Sequence, residues 1–136
     1  MPLPFLDTNI LVRHLTQDDP RLSPRATAYL KRIERGEIQV YTIDTVIFET
    51  VFTLEGKIYR RPKQDIRDNL LPLINLADVL LPNKHRFQRV FDDYINLTIP
   101  FADAYHAVVA IDVGLQEIVS FDRHFDRVQG IRRIEP

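Results

Sequence analysis

The sequence has no cysteine and no tryptophan among its 136 residues. The lack of cysteine excludes disulfide bonds, a thiol nucleophile and a zinc site built from thiolates. The four glycines form neither a phosphate-binding loop nor a GxGxxG dinucleotide-binding turn. Of the two serines, Ser23 precedes a proline and Ser120 lies in a predicted strand, so the GxSxG elbow of a serine hydrolase is missing.

The chain also lacks an excess of either charge and lacks a long hydrophobic run. It has 18 basic and 19 acidic residues, so its net charge does not indicate a nucleic-acid partner. A local basic patch or a bound metal would still allow one. Because no apolar run is long enough for a signal peptide or a membrane span, we expect a soluble cytoplasmic protein without a membrane partner.

Apolar segments that alternate with helical patterns run through the whole chain without a repeat or a long linker. This order predicts one domain over residues 1–136 with an α/β fold, a three-layer α/β/α arrangement around a mostly parallel sheet of four to five strands. Ser23 as the N-cap, followed by Pro24 at the first helical position, predicts the start of the second helix. The predicted strands cover residues 3–6, 38–43, 77–81, 117–121 and 132–136, and the predicted helices begin near residues 8, 23, 45, 63, 85 and 99.

Four acidic residues stand out because their surroundings are apolar. Asp7 and Asp122 each follow an apolar strand, whereas Glu49 and Asp103 are the isolated acids of the helical stretches "TVIFETVFTL" and "FADAYHAVVAI". Taken singly, each has an ordinary structural explanation as a helix cap or as a first-turn acid favoured by the helix dipole. Each position alone therefore favours the structural explanation.

Topology favours a different interpretation of the four acids together. In a parallel α/β sheet the strand ends and the following helix starts share one edge, where ligands bind. Two carboxylates about 5 Å apart repel by about 3 kcal/mol at an effective dielectric of about 20, and the two apolar windows contain no lysine or arginine. A divalent cation would supply the missing counter-charge, and an all-oxygen site suits Mg²⁺ or Mn²⁺.

The segments "FLDTNILVRHL", "FADAYHAVVA" and "SFDRHFDRV", with Glu49 between them, resemble the four motifs of PIN-domain nucleases. Within that family they are most similar to the VapC-type toxins of type II toxin–antitoxin pairs. The resemblance implies a Mg²⁺- or Mn²⁺-dependent ribonuclease whose acidic cluster is Asp7, Glu49, Asp103 and Asp122. It also implies a homodimer, an RNA substrate such as tRNA or rRNA, and a small antitoxin protein that blocks the site.

The sequence departs from the family pattern at one position. Many relatives carry a further aspartate two residues after the position of Asp122, and this chain has His124 there. Asp126 is a less favoured substitute, because an offset of four residues need not point inward. Small polar residues at three further positions match places expected to orient the carboxylates or a water molecule, namely Thr8, Asn9 and Ser120.

Two other classes of function remain open at the level of sequence. One is a non-catalytic PIN-like module that binds RNA or a protein. The other is a Mg²⁺-dependent phosphatase or a DNA nuclease with a similar acidic rim. Asp7 is compatible with the phosphatase, but Asn9 occupies the position where that pattern has a second aspartate.

Overall fold

Helices dominate the computed structural model, which describes residues 2–136. Six α-helices, four short β-strands and one 3-10 helix occur in that range, and all six helices begin within a few residues of their predicted starts. Within residues 2–136 no helix is long and apolar enough to cross a membrane. The helices are α1 Thr8–Thr16, α2 Leu22–Glu34, α3 Asp44–Glu55, α4 Lys63–Ile74, α5 Arg86–Asn96 and α6 Phe101–Asp112; the strands are β1 Val40–Tyr41, β2 Val79–Leu80, β3 Glu117–Val119 and β4 Arg132–Ile134; and the 3-10 helix is Arg123–Arg127.

The chain divides into two compact units, the first ending at Lys84 and the second beginning at His85. In the first unit β1 pairs in parallel with β2. The predicted first strand contributes one parallel bridge, Phe5 to Tyr41, and the Leu6 amide donates to the Tyr41 carbonyl at 2.8 Å. Only Leu6 of this segment is buried, so the backbone pairing was predicted correctly but the burial of the whole run was not.

The start of α2 differs from the prediction that Ser23 caps it. The helix already includes Ser23, whose side chain is buried. The Asp19 carboxylate accepts hydrogen bonds from the backbone amides of Arg21, at 2.9 Å, and Leu22, at 2.7 Å. An ionised acceptor makes the stronger hydrogen bond, so the aspartate satisfies the free amides of the first turn.

A polar cluster around Asp18 ties the end of α1 to the segment after α3. The Asp18 carboxylate accepts hydrogen bonds from Arg13 at 2.9 Å, from Thr16 at 2.7 Å and from the Tyr59 hydroxyl. These bonds, led by that of Tyr59, lower the pKa of Asp18 to about 2. The negative charge at Asp18 therefore links two parts of the first unit.

Asp18→Asn is expected to lower stability at neutral pH, with a difference from the parent that disappears in acid. Because the folded pKa lies below the ordinary value of 3.8, the carboxylate stabilises fully above pH 3.8 and loses its effect as the pH falls through about 2. Thermal unfolding at pH 7, 4, 3 and 2 measures this difference, and Asp65→Asn, at an exposed acid of α4, is the charge control. A difference of constant size at all four pH values would contradict the assignment.

In the second unit, α5 and α6 pack against each other in opposite directions. At one end, Arg86 near the start of α5 pairs with Asp112 at the end of α6, at 2.6 Å. At the other end, the Phe101 ring that begins α6 lies 5.0 Å from Phe91 and 5.3 Å from Tyr94, measured between ring centroids. This aromatic cluster is buried and fixes the start of α6.

The second unit also contains β3 paired in parallel with β4, with Glu117 opposite Arg132. The strands themselves were predicted, but their burial was not, because Val119 is 68% exposed and Phe121 is 72% exposed. Each unit thus has one two-stranded parallel sheet. The predicted α/β class with parallel strands is confirmed, with less sheet than expected.

Candidate metal centre

Asp103 is held at the start of α6 by its neighbours in the chain. It is the third residue of a helix that begins at Phe101, directly after Pro100. Proline is favoured around a helix start, and an acid in the first turn is stabilised by the helix dipole. Because Phe101 is anchored in the aromatic cluster, the backbone that carries Asp103 is held in place, and 17% of the Asp103 side chain is exposed.

Asp122 lies in the turn between β3 and the 3-10 helix, where two hydrogen bonds position it. The Ser120 hydroxyl accepts from the Asp122 amide at 2.9 Å. The Asp122 Oδ1 atom accepts from the His124 amide at 2.9 Å and so caps the 3-10 helix. The expected structural explanation for Asp122 is therefore correct, but a carboxylate has further acceptor capacity, and capping leaves a second role open.

The structure brings His124 together with both of these acids. Its Nδ1 atom lies 2.6 Å from Asp122 Oδ1 and 3.2 Å from Asp103 Oδ2. One possible ligand atom from each of the three residues lies within 4.8 Å of the others. All three side chains are partly exposed, so an ion could reach them from solvent.

The two carboxyls of this group have pKa values shifted in opposite directions. Burial raises the pKa of Asp103, the hydrogen bond and the charge of Asp122 raise it further, and His124 opposes the shift. The pKa of Asp122 is lowered, first by the hydrogen bond from the His124 amide. Asp122 is therefore the more readily ionised of the pair, and a cation placed between them would favour the ionised form of both.

Asp7 and Glu49 lie in the first unit, and Thr8, the residue directly after Asp7, contacts Glu49. The Thr8 hydroxyl donates to Glu49 Oε2 at 2.9 Å and so joins α1 to α3. Asp7 occupies the N-cap position of α1, but within residues 2–136 its side chain makes no capping hydrogen bond. The capping explanation for Asp7 is thus wrong, whereas Thr8 does orient a carboxylate. Asp7 and Glu49 are both exposed.

The remaining predicted positions have different surroundings. Asn9 is exposed on α1. Asp126 forms an ion pair with Arg133 at 3.0 Å, and the same guanidinium donates to the Ser120 carbonyl at 3.1 Å. Asp126 is therefore engaged by a cation of its own, and it does not belong to the group around His124.

Sequence reasoning flagged His124 as a departure but did not place it in the site. The available signal was its place in the last motif, because His124 stands where many relatives carry a further aspartate. The donor set of the group fits a divalent cation. Two carboxylates suit Mg²⁺ and Mn²⁺, and an imidazole nitrogen is a common ligand of transition-metal ions.

The fold and this acidic group agree with the comparison to known families. The PIN domain family profile matches residues 5–131. The chain therefore belongs to the PIN-domain family, as its motifs predicted. It is similar to the VapC ribonuclease of Aquifex aeolicus (strain VF5), with 24% identity over 132 residues that cover 97% of this chain and 96% of the relative.

Proposed function

We propose that this protein is a divalent-metal-dependent endoribonuclease and the toxin of a toxin–antitoxin pair, with a single nuclease domain over residues 1–136. The observation that carries the proposal is the group formed by Asp103, Asp122 and His124 in a PIN-domain chain. The similarity to the VapC ribonuclease of Aquifex aeolicus supports RNA as the substrate. Structured RNA such as tRNA or rRNA is the proposed target.

In the proposed mechanism, Asp7, Glu49, Asp103 and Asp122 would hold Mg²⁺ or Mn²⁺. The bound ion would orient a water molecule, lower its pKa and neutralise charge on the scissile phosphate. Thr8 keeps Glu49 in place through its hydroxyl bond, and Ser120 and the His124 amide fix Asp122. A carboxylate of the cluster would accept the proton of that water molecule.

RNA cleavage tests the proposal directly. The purified protein is incubated with total tRNA and rRNA in EDTA, in Mg²⁺ and in Mn²⁺. We expect discrete fragments with either metal and none in EDTA. If the protein binds RNA but does not cleave it with either metal, it is a non-catalytic RNA-binding module. If it cleaves only DNA, it is a DNA nuclease.

Metal is expected to stabilise the folded protein even without RNA. Binding only to the native state adds about 2.7 kcal/mol at a hundredfold excess over the dissociation constant. For a chain of this length that corresponds to a rise of about 10 °C in Tm. Thermal unfolding with and without Mn²⁺ measures the shift, with Ca²⁺-free buffer plus EDTA as the reference. An unchanged Tm at millimolar metal would argue against the proposed site.

The proposed partners are a second copy of the chain and a cognate antitoxin in the cytoplasm. An antitoxin that silences this site must offset the same carboxylates, and arginine pairs with two carboxylate oxygens at once. An apolar helix of the antitoxin would pack near α1 to α3, where Phe52 is 78% exposed and Ile58 is 87% exposed.

Inhibition by the antitoxin is therefore expected to weaken as the metal concentration rises. The inserted arginine and the metal compete for the same oxygens, so removal of that charge should relieve inhibition. RNA cleavage by the purified complex across a Mg²⁺ titration measures this competition. Equal inhibition at every metal concentration would contradict the arginine mechanism.

A further inference from the structure

We infer that His124 is a direct metal ligand through Nδ1, and that this nitrogen makes the site prefer Mn²⁺ to Mg²⁺. The inference rests on the proposed function, because it concerns the same metal centre. It goes beyond the acidic cluster that the family resemblance implies, which consists of Asp7, Glu49, Asp103 and Asp122 and does not include His124. This chain has a nitrogen donor at a position where many relatives have an oxygen donor.

Geometry supports the ligand role. An octahedral ion with ligands at about 2.1 Å places neighbouring ligand atoms about 3.0 Å apart. The distance from His124 Nδ1 to Asp103 Oδ2 is 3.2 Å, which is close to that spacing. The distance from Nδ1 to Asp122 Oδ1 is 2.6 Å, so these two atoms would separate by a few tenths of an ångström around an ion.

The backbone holds His124 at this place independently of its ring. The His124 amide donates to Asp122 Oδ1, and the next residue, Phe125, is buried and anchors the 3-10 helix. Asp103 is fixed from the other side by the aromatic cluster through Phe101. Since separate contacts hold the backbone at Asp103 and at His124, little ordering of the backbone remains to be done when an ion binds.

The chemistry of the donor sets predicts the choice of metal. Mg²⁺ strongly favours oxygen ligands and keeps much of its water shell, whereas imidazole nitrogen is a better ligand for transition-metal ions. A neutral imidazole with its proton on Nε2 leaves the Nδ1 lone pair free for coordination. A site that adds an imidazole to its carboxylates is therefore a better match for Mn²⁺ than an all-carboxylate site.

The alternative is that His124 only forms an ion pair with the two carboxylates and leaves when metal binds. Pulsed electron paramagnetic resonance separates the two, because Mn²⁺ bound to a histidine shows coupling to its ¹⁴N nucleus. The measurement uses the full chain with Mn²⁺ alone, without RNA, for the parent, His124→Gln and His124→Asp. The matched control is His106→Gln, at an exposed histidine of α6 three residues after Asp103.

We expect ¹⁴N coupling in the parent and in His106→Gln, and none in His124→Gln or His124→Asp. Competition between Mn²⁺ and Mg²⁺ should show that the preference for Mn²⁺ falls about tenfold or more in both His124 variants. Mn²⁺ binding without ¹⁴N coupling in the parent, with the same metal preference in His124→Asp, would overturn the ligand role and leave the proposed nuclease intact. No Mn²⁺ binding to the parent would overturn both.

Discussion

Asp7→Asn is expected to lower metal-dependent RNA cleavage by about 10³-fold while the fold stays intact. A metal ligand that helps to stabilise the charge of the transition state contributes several kcal/mol, and each 1.4 kcal/mol is about tenfold in rate. The fold should survive because the Asp7 side chain makes no capping hydrogen bond within the described residues. Asparagine is also as good an N-cap residue as aspartate.

The measurement is the rate of RNA cleavage in Mn²⁺, together with circular dichroism and Tm for the same preparation. Asp65→Asn removes one negative charge from an exposed position of α4 and is expected to keep full activity. If Asp7→Asn cleaves RNA at the parent rate, Asp7 is not part of the site. If it unfolds, the carboxylate has a structural role that its hydrogen bonds do not show.

Phe101→Ala is expected to destabilise the protein by about 3–5 kcal/mol. The Phe101 ring is buried and contacts the rings of Phe91 and Tyr94, so truncation leaves a cavity at the junction of α5 and α6. Each aromatic pair adds about 0.5–1.5 kcal/mol beyond the buried area. Since a domain is stable by only about 5–15 kcal/mol, this one change removes a large part of the total.

Urea denaturation measures the loss, and Phe52→Ala is the matched control. Phe52 is 78% exposed on α3, so its truncation should change stability by at most about 0.5 kcal/mol. Phe101→Ala should also weaken Mn²⁺ binding in conditions where the variant is still folded, because Asp103 lies two residues further along the same helix. Equal effects of the two substitutions would show that the aromatic cluster does not hold α6.

Local patterns in the sequence predicted the positions of the helices well. They did not predict which of two neighbouring side chains caps a helix. The positions of α1 to α6 follow from apolar periodicity and from proline and glycine at the ends, which act over a few residues. Asp19 and Ser23 are both competent caps for α2, and the proline after Ser23 favoured the serine. The folded backbone instead brings the amides of Arg21 and Leu22 to the Asp19 carboxylate.

The local sequence pattern also failed to predict whether the strands are buried. The apolar runs before Asp7 and Asp122 predict buried strands, yet Phe5, Val119 and Phe121 are exposed. Pairing depends on the backbone, which the pattern describes, whereas burial depends on what packs against each face. That second condition involves residues far away in the chain.

The sequence by itself determined that Asp7, Glu49, Asp103 and Asp122 are candidates, because an isolated charge beside an apolar run is unfavourable without a counter-charge. It also determined the family, through the order of the motifs. Only the tertiary structure decided that Asp7 does not cap α1, that Thr8 orients Glu49, and which residues meet Asp103. His124 joins Asp103 across 21 positions of chain, because the packing of α6 in the second unit brings its first turn beside the 3-10 helix. A pairwise distance of that kind depends on the packing of whole elements, and no local spacing in the sequence contains it.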